Sequence, residues 1–274
     1  MSNKDRTIGN LNPNKVLVIA PSGFGKSYSS LHLPPSKTVI ICPDQKAPPF
    51  RGWKKKYLQQ EVSYPTKPPD KGNFFATTDP SVVLQIMDFV NEFRKDVKFL
   101  VIDTITALMM NDVMYRIGEM GWDKWNELAV DAWQIIRRAD NYRDDLFVFI
   151  LAHTDPVMLE KGKIEFFVPG GNLMKTKVRP EIYFTTVLEG RVEANSAGTD
   201  YYFYTQTDGT TIAKSPPGLF GTNRKIPNDL MLVARAMRAY DRDEEFDMKE
   251  EIKFMASLPE MPDSIPARKP KKEE

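Results

Sequence analysis

The chain has 274 residues, 41% of them hydrophobic, which supplies a sizeable core without disulfide or metal staples. Its 38 lysines and arginines face 37 acids, a formal charge of +1, so no global field draws it to nucleic acid or to an anionic membrane, and any DNA contact must come from a local patch. One cysteine, Cys42, and two histidines, His32 and His153, exclude an internal disulfide and a zinc site built from four Cys/His ligands. The opening MSNKDRTIGN lacks the apolar core of a signal peptide, and the apolar stretches at 99–110 and 146–152 are interrupted or too short to span a bilayer. A cytoplasmic chain with no membrane partner is expected.

Residues 16–20 (VLVIA) form a continuous apolar run of the kind buried on both faces of a parallel sheet, and Pro21, Ser22 and Gly23 end it with turn chemistry. A helix is expected from about Lys26, and it must be short because Pro34 and Pro35 follow. Residues 38–42 (TVIIC) read as a second buried strand. Six prolines, at 43, 48, 49, 65, 68 and 69, then forbid regular structure over most of 43–73, a proline-rich basic-aromatic insertion loop. Asp79 caps a helix with Pro80 at its first position, striped by Val83, Ile86, Met87, Val90 and Phe93. A third buried strand, 99–102 (FLVI), ends in Asp103. Helical periodicity returns over 123–139, with Trp125, Leu128, Ala132, Trp133 and Ile136 on one side, and 146–152 (LFVFILA) is the fourth strand.

Strands alternating with helices predict an α/β fold with a mostly parallel sheet covered by helices. Beyond His153 the segments 181–189 and 201–205 are β-branched and aromatic, Asp208-Gly209 is a hairpin signal, and Asn228 is expected to cap a last helix through Tyr240. The sheet therefore gains antiparallel strands toward the C-terminus. One domain is expected over 1–240, followed by a charged tail over 241–274; its acidic part, 241–251, reads as a solvated face, and about its last dozen residues as disordered.

The segment Ala20-Pro21-Ser22-Gly23-Phe24-Gly25-Lys26-Ser27 fits the phosphate-binding loop, with alanine at the first glycine position. A buried strand precedes it, so its backbone N–H groups can converge on a triphosphate, with Tyr28 adjoining. Lys26 is expected to neutralise the β- and γ-phosphates of ATP and the Ser27 hydroxyl to coordinate Mg²⁺. Asp103, at the end of an apolar strand, has the position of a Walker B carboxylate for the same Mg²⁺, with Thr104 supporting it by hydrogen bonding. Asp44 lies just past the second strand on the same carboxyl edge and is the best-placed general base; a turn-stabilising aspartate is the alternative. His153 ends the fourth strand there too, where a neutral imidazole can contact the γ-phosphate or its water; the alternative is a hydrogen-bonded core histidine.

On these residues the sequence resembles the RecA-type core ATPases, and more closely a family of small bacteriophage RecA-like P-loop proteins of the single-strand annealing and recombination type. The matching pieces are APSGFGKS, KAPPFRGWKKKY, FLVIDTITAL, RIGEMGWDKW, YRDDLFVFILAHT, TIAKSPPGLF and KIPNDL, spread over most of the chain. One departure is CPDQK, which offers Asp44 where RecA carries a catalytic glutamate. The resemblance implies an ATPase, stimulated by DNA, that forms a ring or filament of identical subunits on single-stranded DNA, with a single-strand binding protein as an optional further partner. It implies two DNA-binding loops, at 109–121 and 154–172; the second contains Lys161, Lys163, Phe166 and Phe167, which suit phosphate neutralisation and base stacking, against the alternative of a β-hairpin with an apolar inner face. The cluster Phe50-Arg51-Gly52-Trp53-Lys54-Lys55-Lys56-Tyr57 can grip phosphates and stack bases, or contact a neighbouring subunit's nucleotide, or be a solvated loop around a packed tryptophan. Lys214, held between a strand and two prolines, is the expected basic finger supplied to a neighbouring subunit's γ-phosphate, or else a surface lysine in a turn. The rival function is a DNA-annealing or scaffold protein that uses ATP only as an assembly ligand; a small-molecule kinase is disfavoured because no arginine-rich lid is evident.

Overall fold

The four apolar runs become the centre of one sheet. A computed structural model describes residues 11–63, 66–121, 123–154, 167, 179–196 and 198–266. In chain order these form β1 (Lys15–Ala20), β2 (Thr38–Ile41), β3 (Gln59–Gln60), β4 (Phe74–Phe75), α1 (Pro80–Phe93), β5 (Phe99–Asp103), α2 (Ile105–Tyr115), α3 (Asp123–Arg138) and β6 (Phe147–His153). They continue with β7 (Thr186–Asn195), β8 (Gly198–Tyr204), β9 (Lys225–Pro227), α4 (Leu230–Asp241) and α5 (Met248–Ala256). The sheet order is β3-β4-β2-β5-β6-β1-β7-β8-β9, parallel from β3 through β7 and antiparallel in the pairs β7–β8 and β8–β9. This is the expected mostly parallel sheet with added antiparallel strands, with β6 between the strand that leads into the phosphate loop and the strand that ends in Asp103. No helix among the described residues is long and apolar enough to cross a membrane.

Strand side chains alternate between two buried layers, so both faces are covered. Leu17, Ile19, Leu100, Ile102 and Val148 pack with α1, α2 and α3, whereas Val16, Val18, Val101, Phe149 and Leu151 pack with α4 and α5. Helix α1 begins as expected, with the Asp79 carboxylate accepting from Ser81 N at 2.8 Å.

Five local expectations are corrected. Ser27–Ser30 is a 3₁₀ turn rather than the start of an α-helix, and Pro34 and Pro35 leave no room to extend it. Half of the expected loop at 109–121 is helical, because the Thr104 hydroxyl caps α2 by accepting from Ala107 N and Leu108 and Met109 bury against the sheet. Trp133 leaves the buried stripe of α3 and is 44% exposed. Asp208-Gly209 closes no tight hairpin, since β8 ends at Tyr204 and its next partner β9 begins only at Lys225, and the aspartate instead binds Thr210. The N-cap of α4 is Asp229, one residue past Asn228.

The segment after Asp241 is not a bare charged tail. Met248, Met255 and Met261 bury in the same layer as α4, and Glu251, inside the stretch read as a solvated acidic face, is buried in an ion pair with Arg235 at 2.8 Å. Met261 N also donates to Leu31 O at 2.9 Å, tying this segment to the turn after the phosphate loop. Residues 267–274 lie outside the described ones.

Candidate functional site

Parallel register collects the chemistry at one edge. Ala20 pairs with His153, Asp103 with Leu151 and Ile41 with Ile102, so the carboxyl ends of β1, β2, β5 and β6 open onto the same rim. The loop leaving β1 turns at Gly23 (φ 79°) and Gly25 (φ 90°), left-handed conformations that favour glycine. Its anchor is Phe24, whose ring is fully buried 5.7 Å from Phe203. Gly190 makes the seat: a Cβ there would stand 2.5 Å from Phe24 Cε1 and 2.6 Å from Ala20 Cβ. The Phe24 side chain is thus a structural peg, and only its backbone remains for a ligand. Ser22 and Gly23 are exposed, and the half-exposed Tyr28 ring lies 6.4 Å from Phe50.

Lys26 is 5% exposed and folds back on its own loop. Its Nζ donates to Ala20 O and Pro21 O, each at 2.9 Å, and lies 3.1 Å from His153 Nδ1. Burial lowers its pKa to about 8, against the opposing pull of Asp103. Burial and the Lys26 charge together lower His153 to about 4, so at neutral pH the imidazole is uncharged and Nδ1 accepts the Lys26 proton. His153 is also fixed by its backbone, N–H to Thr106 Oγ1 at 2.9 Å. Sequence left a core histidine as the alternative; the structure puts the ring directly on the phosphate-loop lysine.

Asp103 is 6% exposed. Burial raises its pKa, and a hydrogen bond from Ser27 together with the Lys46 charge offsets only part of that rise. Its Oδ1 is buried without a hydrogen-bond partner among the described residues. An orphaned carboxylate oxygen beside a serine hydroxyl is a donor set that fits Mg²⁺, a cation that takes one or two protein oxygens and keeps several waters. Asp44 stands next to it: Oδ1 accepts from Thr104 N at 2.9 Å and Thr104 Oγ1 at 3.0 Å, and Oδ2 pairs with Lys46. The Asp103–Thr104 peptide is cis. The crevice among Ser27, Cys42, Lys46, Phe50 and Asp103 is about 10 Å³, room for roughly one water.

Two contacts were missed in the sequence. Lys46, taken as part of a proline-rich loop, is the cation nearest Asp44 and a counter-charge to Asp103. Asn228, expected to cap α4, instead donates from Nδ2 to Gly25 O at 3.1 Å, while Asp229 caps α4 and holds His32 Nδ1 at 2.6 Å. Burial opposes the His32 proton, but the Asp229 hydrogen bond and the Asp229 and Glu260 charges outweigh it and raise its pKa. Adjacent residues thus brace both sides of the 3₁₀ turn that replaces a helix. Losing one such hydrogen bond costs about 0.5–1.5 kcal/mol, so Asn228→Ala is expected to raise the KM for ATP about threefold to tenfold with a smaller change in kcat. A lower melting temperature with unchanged KM would confine Asn228 to folding.

The other expected residues are not joined to this cluster. Lys214 is fixed by backbone bonds to Val187, on β7 (N to Val187 O at 2.9 Å, O from Val187 N at 2.8 Å), and among the described residues no hydrogen bond or ion pair connects its side chain to Lys26 or Asp103. In the basic-aromatic cluster Phe50 and Tyr57 are buried and Trp53 packs 5.4 Å from Phe74, so those rings serve the core while Arg51, Lys54, Lys55 and Lys56 stay exposed. Lys161, Lys163 and Phe166 lie outside the described residues; Phe167 N donates to His153 O at 2.9 Å.

The sequence from Asn12 to Pro216, residues 12–216, matches the family model described as AAA domain. The chain belongs to the AAA domain family. The AAA domain is a P-loop ATPase, so nucleotide binding is its coarse function, with ATP and Mg²⁺ the ligands such families use. No curated protein matches the sequence. A solved KaiC-like protein from Pyrococcus horikoshii OT3 is similar at 12% identity over 79% of this chain and 85% of that one, with a TM-score of 0.40, too loose a likeness to carry an argument. The family match contains Ala20 to Ser27, Asp44, Asp103, His153 and Lys214, whereas Asn228 and the α4 brace fall beyond it.

Proposed function

We propose that this AAA domain hydrolyses ATP and, with ATP bound between adjacent copies, assembles on single-stranded DNA in bacteriophage recombination, annealing or replication. The observation that carries the hydrolysis is the pairing of two buried, desolvated charges on one rim: among the described residues, a lysine satisfied only by its own loop and by His153, and a carboxylate with an unpartnered oxygen. Bound phosphates would replace the carbonyl and imidazole acceptors of Lys26. His153 Nδ1, neutral and released, then faces the γ-phosphate region and can orient the attacking water. Ser27 and Asp103 would hold Mg²⁺, which when bound neutralises charge on the β- and γ-phosphates. Asp44 is the candidate base, and it accepts a proton only when Lys46 lets go of Oδ2. That commitment of Asp44 favours a second reading, in which ATP is mainly an assembly ligand and turnover is slow. For DNA, support comes from the exposed cations at 51–56 and from Lys161 and Lys163 in sequence.

Lys214 is the proposed finger in trans, a charge that completes a neighbour's site and couples assembly to hydrolysis. Mixing Lys214→Ala subunits, which still bind ATP, with Lys26→Ala subunits, which still offer Lys214, is expected to restore part of the DNA-stimulated turnover that each variant lacks alone. Full activity of Lys214→Ala by itself would remove the finger.

A further inference from the structure

A second group of cations lies at the opposite edge of the sheet. Helix α4 starts beside the phosphate loop at Asp229 and ends where Phe99 and Phe147 begin β5 and β6. There Arg235, Arg238 and Arg242 line a cavity of about 170 Å³ walled by Phe99, Phe246 and Ile265. Arg235 is committed to Glu251 and to Pro266 O at 2.8 Å, and Arg242 reaches Glu244 at 3.9 Å. Arg238 has no carboxylate within ion-pair distance among the described residues; its guanidinium lies 5.3 Å over the Phe147 ring. Burial lowers its pKa, as do the Arg242 and Arg235 charges, and Asp145, itself shared by Lys98 and Arg143, opposes this only in part. A half-buried cation without a counter-ion is costly. Beside an open cavity, that cost is relieved by an anion.

We propose that this cavity is a phosphate site, with Arg238 as its principal ligand and Arg242 and Arg235 beside it. The donors select the ligand class. The lining sets Arg235, Arg238 and Arg242 against Glu244 and Glu251, a surplus of one positive charge, with Arg238 the cation left without a carboxylate among the described residues. A phosphate group, with three or more terminal oxygens, can accept from more than one of these guanidinium forks at once, which a carboxylate or one phosphodiester of a nucleic-acid strand does less fully. The volume agrees, since sites for whole small molecules run to roughly 300–1,000 Å³, so the cavity takes a phosphate group and not the nucleoside attached to it. Guanidinium donors in a fork suit its oxygens. The ligand is inorganic phosphate or a phosphomonoester such as a phosphorylated strand end.

The test uses full-length Lys26→Ala protein, so that the phosphate loop does not contribute and a failure here leaves the ATP reading untouched. Titration calorimetry with inorganic phosphate at about pH 7.5, where the dianion is plentiful, is expected to show saturable binding. Adding Arg238→Gln should weaken it roughly tenfold or more, the loss of charge-assisted hydrogen bonds. Arg238→Lys, which keeps the charge but not the guanidinium fork, should retain part of the affinity, and circular dichroism checks that both variants are folded. Equal phosphate affinity in the folded Arg238→Gln variant, or none in the Lys26→Ala parent, would overturn the site. A preference for 5′-phosphorylated over 5′-hydroxyl oligothymidylate that Arg238→Gln abolishes assigns the phosphate to a strand end; no such preference leaves the inorganic ion as the ligand.

Discussion

Lys26→Ala is expected to lower kcat/KM for ATP by about 10²–10³ or more, the loss seen when a donor to developing transition-state charge is removed. The fold should survive. The substitution strips Ala20 O, Pro21 O and His153 Nδ1 of a donor, at about 1–3 kcal/mol for a buried acceptor left unpaired, but it also removes a desolvated cation whose burial is itself unfavourable. The two effects oppose each other, so the melting temperature should move little. The same lysine sets a pH dependence. With its free-state pKa lowered to about 8 and phosphates favouring the charged form, ATP affinity should be flat below pH 8 and decline above it as the free protein loses the proton. Wild-type turnover in the folded variant would reassign Lys26 to structure; affinity independent of pH to well above 8 would instead contradict the lowered pKa.

Asp103→Asn is expected to abolish Mg²⁺-dependent turnover and, at the same time, to stabilise the nucleotide-free protein at neutral pH. A carboxyl whose folded pKa is raised contributes stability only while protonated, present below its unfolded pKa and lost as pH rises through the folded value. Ionised Asp103 is therefore a cost at neutral pH, one that a bound cation would offset and that asparagine avoids. Melting temperatures of both proteins from about pH 4, the ordinary carboxylate range, upward measure this, with wild type losing ground to the variant as pH rises. A variant that melts earlier at neutral pH and keeps its Mg²⁺ dependence would give Asp103 a purely structural role.

What the sequence made legible is the chemistry carried by local pattern. Four apolar runs, a glycine loop and carboxylates at strand ends each follow from short-range rules, and parallel pairing then brings Lys26, Asp103, Asp44 and His153 to one rim. The brace was hidden because it is long-range: Asn228 and Gly25 are 203 residues apart, and helix-capping rules alone cannot choose between neighbouring Asn and Asp. The two residues divide the work, one capping α4 and the other holding the loop. Lys46 was hidden by proline density around it, which signals irregular backbone but not where a side chain reaches. The C-terminal segment misled through charge. Its acids are interspersed with Met248, Met255 and Met261, and Glu251 buries in an ion pair with Arg235 of α4.

The most direct test of nucleotide-controlled assembly is electron microscopy of the full chain with a long oligothymidylate and Mg²⁺, with and without ATP, beside Lys26→Ala under the same conditions. Ordered rings or filaments that require ATP and fail to form with Lys26→Ala are the predicted result. Monodisperse monomers of the wild-type chain in the presence of both ATP and DNA would contradict it.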